Sequence, residues 1–133
     1  MNGTCVVVAD ARLARFYGVE AVEPQRSKMK LVEWTELAGD SDEEQRGRHG
    51  VEPELRFGHE VARQAAQIVM GWKAGTVVLV AEPRLLGLMR EPLRKALHRG
   101  IELKELARDY TRLAPAELYD HLALNSIVPL RRD

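Results

Sequence analysis

Two short runs constrain this chain more than any other feature. Residues 4–9 read TCVVVA and residues 76–81 read TVVLVA. Neither alternates between polar and apolar, as a strand with one wet face would. Short, Val-rich runs of this kind form strands that are covered on both faces. They predict the centre of a sheet with helices packed on it, and so an α/β fold.

The segments around them fill in the order. Residues 13–19, LARFYGV, follow the first run closely enough for a hairpin. Residues 30–37, KLVEWTEL, form a third strand with no cleanly polar face, which fits a sheet edge. Residues 59–72 carry Val61, Ala65, Ile68, Val69 and Trp72 at helical spacing, and Gly71 and Gly75 mark the end of that helix. After the second apolar run, Pro83 opens a Leu-rich helical stretch. Pro92 predicts a break there, with a short helix to about Arg90 and a second one starting at Pro92. Residues 101–106 form a last strand and 115–122 a last helix. The predicted fold is a mixed five-stranded sheet, an antiparallel three-strand meander followed by βαβ crossovers. Its first, fourth and fifth strands run parallel through right-handed crossovers.

One domain accounts for residues 1–124, with a tail at 125–133 whose Ile127, Val128 and Leu130 can dock on the domain or on a partner. A long charged loop is predicted at 39–58, where acids and arginines crowd among four glycines and apolar residues are sparse. Lys plus Arg number 20 and Asp plus Glu number 20, so no global charge favours nucleic acid or an acidic membrane. The single cysteine, Cys5, excludes an internal disulfide and a cysteine zinc site. Its apolar surroundings predict a buried, inert thiol. No signal-peptide pattern and no apolar run of about 20 residues occurs, so no membrane insertion is expected and the cytoplasm is the expected location. No phosphate-binding loop, dinucleotide fingerprint or serine–histidine–acid motif is present, and no cofactor is predicted.

Several segments resemble one bacterial family, the host-attachment proteins, described as required for attachment to host cells. They are VVVADARLARFYGVE at 6–20, RGRHGVEPE at 46–54, HEVARQAAQIV at 59–69, VVLVAEPRLLGLMREPLRKAL at 77–97 and ELARDYTRLAPAELYDHL at 105–122. That family is in turn similar to the middle domain of eukaryotic and archaeal class-1 release factors. The resemblance implies a ribonuclease-H-like sheet. It also implies a protein that binds the translation apparatus, RNA or a protein partner, not an enzyme. In release factors the loop before the first long helix carries Gly-Gly-Gln. The counterpart here is Gly47-Arg48-His49-Gly50, so peptidyl-tRNA hydrolysis by that route is not expected. The family's usual Ser or Thr before the last helix is Ala114, which removes a side-chain cap.

Two candidate sites follow. In the charged loop, Arg46, Arg48 and His49 suit a phosphate or an RNA backbone. The plainer alternative is a solvated loop balanced by the acids at 42–44. The second site is a carboxylate set: Asp10, Glu82 and Asp109 each follow a strand, at the sheet edge where α/β ligands gather. Ribonuclease-H-like nucleases hold metal in similar positions, which makes a metal-dependent phosphodiesterase the alternative function. The plainer reading has Asp10 capping a turn, Asp109 pairing with Arg12 or Arg108, and Arg84 pairing with Asp10 or Asp109. The four histidines have no zinc spacing.

Overall fold

The computed structural model describes residues 3–21, 29–38, 51–72 and 74–128. Five strands form one sheet in the order β3-β2-β1-β4-β5. β1 (Gly3–Ala9), β2 (Leu13–Ala21) and β3 (Met29–Ala38) make the antiparallel meander. β4 (Ala74–Ala81) lies parallel to β1, with Cys5 opposite Val77 and Ala9 opposite Ala81. β5 (Glu102–Ala107) is parallel to β4. The mixed sheet read from the sequence is therefore the observed one.

The two apolar runs sit where both faces are covered. Cys5, Val7, Val77 and Leu79 join one core with α1 (Val51–Trp72) and α2 (Pro83–Ala96). Val6, Val8, Val78 and Val80 join the other, closed by Leu118, Tyr119 and Leu122 of α3 (Pro115–Leu124). All eight strand residues are fully buried. Burying a side chain of this kind is worth about 1.5–3 kcal/mol.

The helices differ from expectation in two places. α1 begins at Val51, so residues 51–58 of the predicted loop are helical. Pro53 falls in the first turn, where its missing N–H has no intrahelical partner to lose. Gly58 lets α1 approach α2: a Cβ there would stand 3.3 Å from Met89 Cγ. The remaining loop, 39–50, lies outside the described residues. α2 is continuous through Pro92. The proline removes one intrahelical hydrogen bond. Pro92 and Leu93 stay buried in the same stripe as Leu85, Leu86 and Met89, and that packing carries the helix onward.

The end of α3 is closed by its backbone. Ser126 N donates to Ala123 O at 3.0 Å and Ile127 N to Leu122 O at 2.9 Å. This pairing is a Schellman motif, with Ser126 in the left-handed region at φ 61°. Ile127 and Val128 then pack into the α3-side core, so the start of the tail docks on the domain.

β3 carries a bulge. Phe16 lies opposite Thr35 and Tyr17 opposite Glu33, which leaves Trp34 as the extra residue. Its indole covers Gly18, and its Nε1 donates to Glu20 Oε2 at 3.3 Å. A Cβ on Gly18 would fall within that ring.

Gly18→Ala is expected to lower the unfolding free energy by about 1–3 kcal/mol, the usual result of overpacking. Ser126→Gly is expected to raise it by about 0.5–1 kcal/mol, because glycine adopts the left-handed C′ conformation without the Cβ clash. Urea unfolding of the two variants beside the parent checks both signs.

Candidate functional site

Parallel pairing of β1, β4 and β5 sends their last residues to one edge of the sheet. Asp10, Glu82 and Asp109 all stand there, as the strand order predicts. Each is engaged locally. Asp10 Oδ1 accepts from the backbone N–H of Arg12 and of Leu13, both at 2.8 Å, and closes the β1–β2 turn. Glu82 is the N-cap of α2, where its Oε1 accepts from Leu85 N at 2.9 Å. Asp109 Oδ1 accepts from Thr111 Oγ1 at 2.8 Å and from Thr111 N at 3.3 Å. Among the described residues, no group of three His, Cys, Asp or Glu side chains could hold a metal ion.

The arginines differ from their expected partners. Arg84 pairs with Glu54, Nη1 on Oε2 and Nη2 on Oε1 at 2.7 Å, instead of with Asp10 or Asp109. This fork ties the first turns of α2 and α1 together and holds Arg84 above the usual arginine range. Arg108 Nη1 donates to the carbonyl of Ala107 instead of pairing with Asp109. Arg15 is buried enough to disfavour its charge, but the Tyr17 hydroxyl, Glu33 and Glu36 outweigh that and raise its pKa. Its Nη1 donates to Thr111 O at 3.0 Å, which draws the segment after β5 across the edge toward β2.

Three exposed arginines remain on these turns: Arg12 beside Asp10, and Arg108 and Arg112 after β5. Arg12 and Arg112 make no ion pair among the described residues. Sequence reasoning weighed Arg12 and Arg108 only as partners for Asp109, and left Arg112 aside, because it sought acids at this edge. The signal was there, since each lies within a few residues of a strand that ends at the edge. Arg46, Arg48 and His49 lie outside the described residues. The described flanks of their segment do reach the edge, with Ala38 opposite Leu13 and Glu54 on Arg84.

The other histidines stand apart. His59 lies exposed on α1 and His98 follows α2. The His121 ring lies 5.0 Å from that of Tyr110.

The family model for proteins required for attachment to host cells matches residues 5–122. The chain belongs to that family. Comparison with curated protein sequences yields no match. Solved structures do match. Thermus thermophilus RuvC superposes with a TM-score of 0.53 at 6% identity, covering 98% of this chain and 84% of that one. RuvC of T. thermophilus in complex with its Holliday junction substrate gives 0.51 at 8% identity, covering 100% and 83%. The Aquifex aeolicus PPX-GPPA enzyme gives 0.51 at 9% identity and covers 80% of this chain. This host-attachment chain spans 36% of the length of that enzyme. Identities this low establish the fold, which is ribonuclease-H-like. No helix among the described residues is long and apolar enough to cross a membrane.

Glu82→Ala is expected to cost about 1 kcal/mol of stability through loss of the α2 cap. Glu82→Gln keeps an acceptor oxygen and is expected to cost less than half of that. Thermal or urea unfolding, with hydrogen exchange at Leu85, reads the difference.

Proposed function

We propose that this host-attachment protein acts by binding, and that its partner is RNA, the RNA of the translation apparatus included, engaged at the carboxyl edge of the sheet. One observation carries the reading. At that edge the acids are committed to neighbouring backbone amides and hydroxyls, while Arg12, Arg108 and Arg112 present exposed guanidinium groups. Guanidinium forks suit phosphate, and contacts of this type position a nucleic acid without reading its sequence.

Two further points support it. By sequence the family resembles the release-factor middle domain, in which the loop before the first long helix carries Gly-Gly-Gln and enters the ribosomal peptidyl-transferase centre. The corresponding segment here contributes Arg46, Arg48 and His49, and both of its described flanks reach the same edge. The absence of Gly-Gly-Gln sets peptidyl-tRNA hydrolysis aside. With zero formal net charge, no whole-molecule field adds to these contacts, and binding rests on the individual guanidinium groups. A contribution to host attachment would then be indirect.

Fluorescence anisotropy with a labelled RNA hairpin and a labelled single strand, over a salt series, tests the proposal. Replacing Arg12, Arg108 and Arg112 by Ala is expected to weaken binding at least about tenfold. It should also flatten the slope of log K against log salt by roughly 0.7 for each arginine. An unchanged affinity and slope in the triple variant would remove the edge from RNA binding. Cleavage of either strand in Mg²⁺ or Mn²⁺, lost on Asp10→Asn, would move the assignment to a metal-dependent phosphodiesterase.

A further inference from the structure

α1 and α2 pack side by side on one face of the sheet, and their outward surfaces leave a groove between them. It consists of two adjoining hollows of about 410 and 280 Å³ that share His59, Pro92 and Lys95. On α1 the lining recurs at helical spacing, through Leu55, His59, Ala62, Ala66 and Met70. On α2, Leu88, Pro92 and Ala96 form the facing wall. Gly58 makes the close helix approach possible, and the alanines keep the floor open.

Three features make this more than a gap between helices. First, the described residues expose three large hydrophobic side chains, and two of them, Leu55 at 36% and Met70 at 67%, stand at its two ends. Ala62, Ala66, Leu88, Pro92 and Ala96 line the furrow between them, and contiguous apolar surface marks an interaction site where scattered exposure does not. Second, the stripe from Leu55 to Met70 is about 22 Å long at 1.5 Å per residue, the length of a four-turn helix. Third, the charge favours one sign: Arg63 and Lys95 border the groove against Glu91 alone among the described residues.

These features select among occupants. Among the described residues the lining holds no Phe, Tyr or Trp on which a base could stack. A second copy docked groove to groove would set Arg63 and Lys95 against the same charges. We infer that the groove receives an amphipathic helix of a partner protein, with an apolar stripe flanked by Asp and Glu. The mode is helix-in-groove, with anchors spaced three and four residues apart. Acidic flanks would meet the cationic rim and fix the register. The groove begins at Leu55, beside the Glu54–Arg84 pair, and runs along the helix layer away from the strand ends, and none of its lining residues is used in the RNA reading.

The test uses the full chain and a designed 16-residue helical peptide with a Leu/Met stripe bordered by Glu. Two controls share its composition or shape, a scrambled sequence and a version with Lys borders. Anisotropy is expected to show saturable binding of the Glu peptide and at least about tenfold weaker binding of both controls. Met70→Glu alters an exposed side chain, so it tests the apolar anchor without disturbing the core, and is expected to reduce affinity. Arg63→Glu with Lys95→Glu is expected to reverse the preference toward the Lys peptide. Equal binding of scrambled and ordered peptides, or affinity untouched by these substitutions, overturns the inference. So does displacement of the peptide by the RNA hairpin. Concentration-dependent dimerisation abolished by Met70→Glu would assign the groove to a second copy instead.

Discussion

Parallel pairing between β1 and β4 is the constraint on which the remaining structure hangs. Both edges of β1 are occupied, by β2 on one side and β4 on the other, and both of its faces are covered. A strand so enclosed can hold no polar side chain without a partner, and its backbone groups must all find partners in the ladder. The valines at 6–8 and the TVVLVA run satisfy that requirement from opposite sides of one hydrogen-bonded seam. Exclusion of water is complete enough there that burial pushes the Cys5 thiol up to about 12. The same seam fixes direction. Because the strands run parallel, the residues that follow them emerge together, and whatever chemistry the edge has is gathered by backbone hydrogen bonds.

The helices are then fastened at separate points. Arg84 and Glu54 join the first turns of α2 and α1, and Arg90 Nε reaches both carboxylate oxygens of Glu105 at 2.8 and 2.9 Å to hold α2 over β5. Both are exposed or half-exposed pairs that solvent screens, so each adds little stability. They orient the helices, while the buried leucines supply the stability. The result has two surfaces of different character. The strand ends carry arginines on short turns, and the helix layer carries an apolar furrow with a cationic rim.

The sheet was legible in the sequence because enclosure on two faces leaves a plain signature, an unbroken β-branched run. The meander and the parallel order followed from spacing and from the lengths of the connections. Helix limits were less legible. The start of α1 was hidden by Pro53, Gly58 and a dense run of charges, all of which read as loop until the first turn is seen to tolerate a proline and Gly58 to lie against Met89. Pro92 looked like a break because local chemistry disfavours it, whereas the buried stripe on either side of it decides the matter. At the edge, position was legible and use was not. Strand order alone brings Asp10, Glu82 and Asp109 to one edge. Which atoms they hold depends on turn geometry within two or three residues, which no periodicity reports.

The bulge at Trp34 has a consequence for the margin of the sheet. β3 is an outer strand of ten residues, long enough to recruit a strand from another molecule. An unbroken, flat margin of that length is a template for uncontrolled stacking of chains. The extra residue twists the ladder partway along, and Glu33 and Glu36 stand exposed on either side of it. A neighbouring copy would have to match the kink and bring like charges together. The packing of one indole over one glycine thus sits at a break in the sheet's margin, of the kind by which native sheets blunt an open edge.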